Sequence, residues 1–200
     1  MKVLLVNGSP HIDGCTNFAL EVIASSLKEE GIDSEIFWIG DEPIGSFSLT
    51  HKYDENDIVN KFQKLASTAD GFIFGCPVHY ASAPGNFISF LDRAFCTNKE
   101  IDRYRLKPAA AICSARRGGL SSTFDELNKY FTISEMPIIS STYWNQIHGS
   151  NKEEAALDLE GVVTMKNLAK NMAYFLKLID LGKSKVAEPV AIREKTNFIR

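Results

Sequence analysis

Four kinds of feature are scarce in this 200-residue chain. No uninterrupted apolar run approaches the roughly 18 residues of a membrane-spanning helix. The opening MKVLLVNGSP is too short in its apolar part to resemble a secretory signal. The reading is therefore a cytoplasmic protein with no membrane partner. Positive charge is not in excess: 22 Lys and Arg against 25 Asp and Glu give a net charge of −3. That excludes the basic field which nucleic acid or anionic lipid requires. Cysteines number four, and the nearest two, Cys96 and Cys113, stand seventeen positions apart. Such spacing matches neither a zinc nor an iron–sulfur ligand run, and a chain of this length needs no disulfide framework. With 7 prolines, long disordered tracts are excluded as well.

What is present is an alternation of strands and helices. Met1 to Val6 is a continuous apolar run, the mark of a strand buried on both faces of a parallel sheet. Ala19, Val22, Ile23 and Leu27 then recur at helical spacing, with Gly31 as the stop. Ser34–Ile39 predicts a second strand, and Ile58, Phe62 and Leu65 a second helix. GFIFGC from Gly71 predicts a third strand, and Phe87, Ile88, Leu91, Ala94 and Phe95 a third helix ahead of a polar stretch, Thr97 to Arg105. Pro108–Ser114 predicts a fourth strand. Thr123 and Glu126 have capping-box spacing at the start of the next helix. Met136–Ser140 reads as the fifth strand. One long helix from about Glu153 to Leu181 carries Val162, Met165, Leu168, Met172, Phe175 and Ile179 at 3–4 spacing. Packing on the sheet is preferred for that stripe over a coiled-coil dimer seam. The chain divides into a domain over 1–182 and a polar arm over 183–200 whose Phe198 and Ile199 suit docking on a neighbouring subunit, with fraying of the arm the equal alternative.

Five strands separated by helices imply an α/β fold with a doubly wound parallel sheet, whose ligands bind at the carboxyl ends of the strands. Three loops are predicted to meet there. Asn7–Asn17 (NGSPHIDGCTN) joins a buried strand to a helix N-terminus. Backbone amides, the helix dipole and the side chains of Ser9, Thr16 and Asn17 suit a phosphate monoester. It is not a Walker A loop: five residues separate Gly8 from Gly14, and Cys15 stands where the lysine belongs. No Gly-x-Gly-x-x-Gly is present, and Asp41 after the second strand reads as a solvated loop residue. Cys76–Asn86 (CPVHYASAPGN) offers a flat backbone surface for a planar ring, on which Tyr80 can stack. Ser114–Leu120 (SARRGGL) offers Arg116 and Arg117 as fixed charges, with Gly118 and Gly119 permitting close approach. A low-molecular-weight phosphatase is excluded, because neither Cys15 nor Cys113 has Arg six positions on. A receiver domain is excluded because Cys76 stands where its aspartate would.

The segments GSPHIDGCTN, PVHYASAPGNFISFLDR, SARRGGLSSTFDELNKYF, YWNQIHG and KTNFIR together resemble flavodoxin-fold NAD(P)H-dependent FMN reductases, close to the iron–sulfur flavoproteins. The resemblance implies a flavodoxin-like strand order 2-1-3-4-5, one FMN per subunit, NAD(P)H as co-substrate and a homodimer or homotetramer. By position it assigns Ser9, His11, Cys15, Thr16 and Asn17 to the flavin phosphate, and Pro77, Val78, His79, Tyr80, Ala81 and Ser82 to the isoalloxazine. Ser114, Arg116, Arg117, Gly118 and Gly119 form the third flavin loop. Tyr80, Trp144 and His148 line the substrate side.

The implied function is transfer of electrons from NAD(P)H through flavin N5 to a small acceptor, a quinone, nitroaromatic or flavin, with no obligatory side-chain acid. The alternative is an FMN-binding electron carrier or redox-sensing module reduced by a partner protein. Two departures from the family pattern stand out. His11 and Cys15 occupy positions where the family often has Arg and Asn or Ser; Cys15 reads as a small loop filler in preference to a reactive thiolate. The region that carries a cysteine cluster in the iron–sulfur subgroup is here GDEPIGSFSLTHKYDEND, with no cysteine.

Overall fold

The structure, a computed structural model, describes residues 1–96, 103–192 and 194. The expected docking pair Phe198 and Ile199, and most of the polar stretch Thr97 to Arg105, lie outside the described residues. Five parallel strands form one sheet in the order β2-β1-β3-β4-β5. They are β1 (Lys2–Asn7), β2 (Asp33–Trp38), β3 (Gly71–Pro77), β4 (Ala109–Ala115) and β5 (Gln146–His148). The helices are α1 (Cys15–Glu29), α2 (Ile58–Ala66), α3 (Gly85–Cys96), α4 (Leu120–Ile133), α5 (Lys152–Leu157) and α6 (Leu159–Gly182). This is the flavodoxin-like order.

The period-2 alternation of β1 explains why both faces are buried. Leu4 and Val6 point into an aromatic core with Phe62, Phe72, Phe74, Phe87, Phe90 and Phe131 beneath α2, α3 and α4. Val3 and Leu5 point the other way, into an aliphatic core with Leu20, Ile23, Met165, Leu168 and Met172 of α1 and α6. The buried stripe of α6 therefore packs on the sheet side. Its expected member Phe175 does not: it is exposed, and Ala173 and Leu176 take the inward places.

Three further sequence expectations are overturned. The first concerns the fifth strand. Residues 136–140 are not it: β5 is Gln146–His148, paired to Cys113–Ala115. Ile138 makes only an isolated bridge to Ala109, where Ala109 N–H donates to Pro137 O and Ile139 N–H to Ala109 O. The edge of β4 is thus covered in two pieces. In the gap between them Asn145, buried, donates from its side-chain amide to Ala111 O at 2.9 Å, and its backbone O accepts from Cys113 N–H. An amide side chain replaces the missing ladder bond, satisfying a buried carbonyl that would otherwise be left without a partner.

The second concerns the last helix, which is two helices. Asp158 breaks the run with ψ of 80° and caps α6, accepting from Gly161 N–H at 2.9 Å. The third is the capping box. Helix α4 begins at Leu120, behind Gly119. Thr123 bonds back to Gly119 O at 2.9 Å, and Glu126 lies mid-helix with other partners.

The long connection from β2 to α2 is organised by α3. Asn86 accepts from Ile44 N–H and donates to Glu42 O. Arg93 is only 2% exposed. Its guanidinium sits 3.4 Å over the Tyr53 ring and forks onto both carboxylate oxygens of Asp57, the residue that caps α2. Of the described arm residues, Pro189 O accepts from Arg105 of the same chain.

Candidate functional site

The carboxyl ends of β1, β3 and β4 bring the three loops together. The first loop folds on itself. Ser9 N–H donates to Asn7 Oδ1 at 3.0 Å, and Ser9 Oγ accepts from His11 N–H at 3.1 Å. Trp38 at the end of β2 donates its indole N–H to Ser9 O at 2.8 Å. Asn7 and Trp38 were not singled out in the sequence, yet they set the loop's shape. An asparagine ending a buried strand directly before a Gly-Ser-Pro turn is the signal that could have found the first. His11 is exposed and Ser9 buried.

Cys15, Thr16 and Asn17 are in the first turn of α1. Gly14 precedes them as N-cap, and no side chain caps this helix end. The amides of that turn therefore face the loop with the positive end of the helix dipole behind them. The side chains are committed inward: Asn17 accepts from Asn7 Nδ2 and donates to Glu21, and Thr16 Oγ1 lies 2.8 Å from Ser114 Oγ. The donors left facing the loop are thus backbone amides, against the expectation that the Thr16 and Asn17 side chains would also serve. Half-buried Cys15 donates its thiol to Asn151 O at 3.2 Å. Burial holds its pKa above the ordinary thiol range, with Glu154 and Glu153 adding to the rise against a backbone hydrogen bond that lowers it. Its environment thus favours the thiol over the thiolate.

The second loop leaves β3 at Pro77. Val78 N–H donates to Ser114 O at 2.9 Å, which ties it to the third loop. His79 and Ser82 exchange two backbone hydrogen bonds, closing a two-residue turn in which Tyr80 and Ala81 hold φ of 52° and 60°. Left-handed φ at a residue with a Cβ costs about 1–2 kcal/mol, and such strain concentrates at functional sites. The turn leaves the Tyr80 ring fully exposed.

The third loop starts at buried Ser114 and carries Arg116, Arg117 and Gly118, all exposed. Gly119 has φ of 91° and lies so close to the second loop that a Cβ there would stand 2.9 Å from Ala81 Cα. Only glycine satisfies both demands. Beyond it, Trp144 is half exposed beside Tyr143, with ring centroids 5.2 Å apart. His148 ends β5 next to β4: its backbone N–H donates to Asp158 Oδ2 at 2.7 Å and its Nδ1 stands 3.3 Å from the same oxygen. Gly149 N–H to Ala115 O joins this corner to the third loop. The three loops and His148 therefore follow the carboxyl ends of their strands, whereas Trp144 precedes β5 and is not brought to that end.

Among the described residues no group of three or more His, Cys, Asp or Glu is placed to hold a metal ion. Nor is any helix long and apolar enough to cross a membrane. Cys76 and Cys113, partners in the β3–β4 register, are both buried in the sheet directly before the second and third loops.

Known proteins bear on what this site does. An iron–sulfur flavoprotein of Methanocaldococcus jannaschii is 26% identical over 191 residues, 90% of this chain and 99% of that protein. An FMN reductase (NADPH) of Pseudomonas putida is 32% identical over 92 residues, 46% of each. Among solved structures, a flavodoxin, WrbA-like protein from Agrobacterium tumefaciens superposes with a TM-score of 0.65 at 14% identity, over 88% of this chain and 98% of that one, which supports the fold. The profile of the NADPH-dependent FMN reductase family matches residues 1–150, the span that contains all three loops. The chain belongs to the NADPH-dependent FMN reductase family, oxidoreductases that use FMN and NADPH.

Proposed function

We propose that this protein binds FMN across the three loops and passes electrons from NAD(P)H to a small planar acceptor, a quinone, nitroaromatic or second flavin. The observation that carries the reading is the joining of three strand-end loops through Ser114. Its hydroxyl meets Thr16 of the first loop, and its carbonyl takes the N–H of Val78 in the second. When bound, FMN supplies hydride acceptance and release at N5; the protein's part is to bind and orient.

The uncapped first turn of α1, with Ser9, His11, Cys15, Thr16 and Asn17 around it, fits the dianionic phosphate through oriented amides, so no lysine is needed. Residues 77–82 supply a backbone edge for the ring system. Ser114 and Arg116–Gly119 close the opposite side, where the two guanidinium groups favour the added negative charge of the reduced ring. Tyr80 and His148 are exposed after their strands and suit stacking and polar contact with nicotinamide or acceptor, and exposed Trp144 offers a further stacking surface before β5. Four unpaired cysteines favour a cytoplasmic setting. The outward apolar side chains Val163, Tyr174, Leu178 and Leu181 of α6 favour a homo-oligomer.

Anaerobic mixing of the FMN-loaded protein with NADPH tests the reading. Bleaching of the flavin by NADPH alone, followed by turnover on addition of a quinone, is the expected result. Bleaching only in the presence of a separate reductase would identify an electron carrier instead, and failure to retain FMN would end both readings.

A further inference from the structure

Tyr80 and Ala81 form the two central residues of a hairpin turn with φ of 52° and 60°, closed by His79 N–H to Ser82 O at 2.9 Å and Ser82 N–H to His79 O at 3.0 Å. Positive φ at both positions is type I′ geometry, which Asn-Gly adopts readily and Tyr-Ala does not. The turn's own residues therefore do not account for its shape, and the restraints come from α4. Glu126 Oε2 accepts from Ser82 Oγ at 2.8 Å and from Ala83 N–H at 2.9 Å. Ser122 Oγ donates to Ala81 O at 2.6 Å, and Gly119 lies against Ala81. One carboxylate oxygen grips two consecutive residues at the exit of the turn.

We propose that Glu126 is a positioning residue for the cofactor. Its carboxylate clamps residues 82 and 83 and so maintains the strained Tyr80–Ala81 turn in the shape that receives FMN. This rests on the reading of residues 77–82 as the flavin loop. Glu126 does not act by touching the cofactor. It sits mid-helix on an element registered to β4, and through that helix it aligns the second loop with the third. A glutamate three residues after a threonine read as a capping box in sequence; its actual partners lie more than forty residues away.

The test uses the FMN-loaded protein and measures the FMN dissociation constant by the fluorescence of released flavin, alongside thermal unfolding. E126A should weaken FMN binding about tenfold, the scale of one charge-assisted hydrogen-bond loss. E126Q, which keeps an acceptor oxygen, should lose less. In the Tyr80→Asn, Ala81→Gly background the turn adopts positive φ unaided, so adding E126A should change the dissociation constant by less than about twofold. An unchanged constant for E126A in the native turn would overturn the proposal, as would an equal loss in both backgrounds or a loss of thermal stability alone. Ala81→Pro separates the layers of the argument, because proline cannot hold φ of 60°. If it leaves FMN binding intact, the flavin-loop reading falls and the clamp with it. If it abolishes binding while E126A does not, the loop reading stands and the clamp alone is wrong.

Discussion

Thr16 Oγ1 lies 2.8 Å from Ser114 Oγ, both buried, so the first turn of α1 is fastened to the end of β4 by one hydroxyl pair. In Thr16→Val the Ser114 hydroxyl loses that partner in a dry environment. The expected cost is about 1–3 kcal/mol of unfolding free energy, read by urea denaturation of the flavin-free protein. FMN affinity should fall in parallel, since two of the three loops then move independently. Thr16→Ser should restore both.

Gly118 and Gly119 are indistinguishable in sequence and opposite in structure. A Cβ at Gly118 meets nothing within 4 Å, whereas Gly119 has φ of 91° and a Cβ there would press on Ala81. Gly118→Ala should change the unfolding free energy of the flavin-free protein by no more than an ordinary surface change, about 0.5 kcal/mol. Gly119→Ala should cost more than about 1 kcal/mol and also weaken FMN binding.

Arg93 joins the β2–α2 connection to α3 through Asp57 and Tyr53. Arg93→Ala leaves a carboxylate only 19% exposed without that partner. Destabilisation of about 3 kcal/mol is expected, at the lower end for a buried pair because Asp57 retains some contact with solvent. Limited proteolysis should then cut within residues 41–56 first. Arg93→Lys should recover little, since an ammonium cannot fork onto both oxygens while lying flat on the Tyr53 ring.

The cysteines should react in order of exposure. Cys96 is exposed, Cys15 half-buried, and Cys76 and Cys113 buried. A thiol-titrating disulfide reagent should find Cys96 first, and Cys76 and Cys113 only on unfolding. Burial raises the Cys15 pKa above the ordinary thiol value, so its reactive thiolate is scarcer at a given alkaline pH than in a free cysteine. Its alkylation rate, followed by mass spectrometry, should therefore keep rising with pH beyond the point at which a model thiol levels off. A rate at pH 7 matching a free thiolate would contradict this.

How much of this was legible in the sequence depended on the range of the interactions involved. The α/β alternation and the buried central strands were readable because each follows from side-chain periodicity within six to fifteen residues. The fifth strand was not. Met136–Ser140 has more apolar residues than Gln146–His148, but Pro137 has no N–H to donate, and the shorter segment gains its place from neighbours on β4 and from Asn145 filling the gap between the two pieces. Asp158 split an otherwise periodic run for a similar reason: its side chain has partners at Gly161 and at His148, ten residues back.

By itself, the sequence determined the layered sheet and the placing of three chemically distinctive loops at strand ends, because patterning and turn chemistry are local. Tertiary structure decided how those loops are held. Ser114, Glu126 and Gly119 gain their roles from atoms brought near across the sheet, at sequence separations of roughly 36 to 98 residues. On the proposed function the scarcity of positive charge fits as well: a helix end without a side-chain cap, beside a folded loop, would supply oriented N–H groups in the place of lysines.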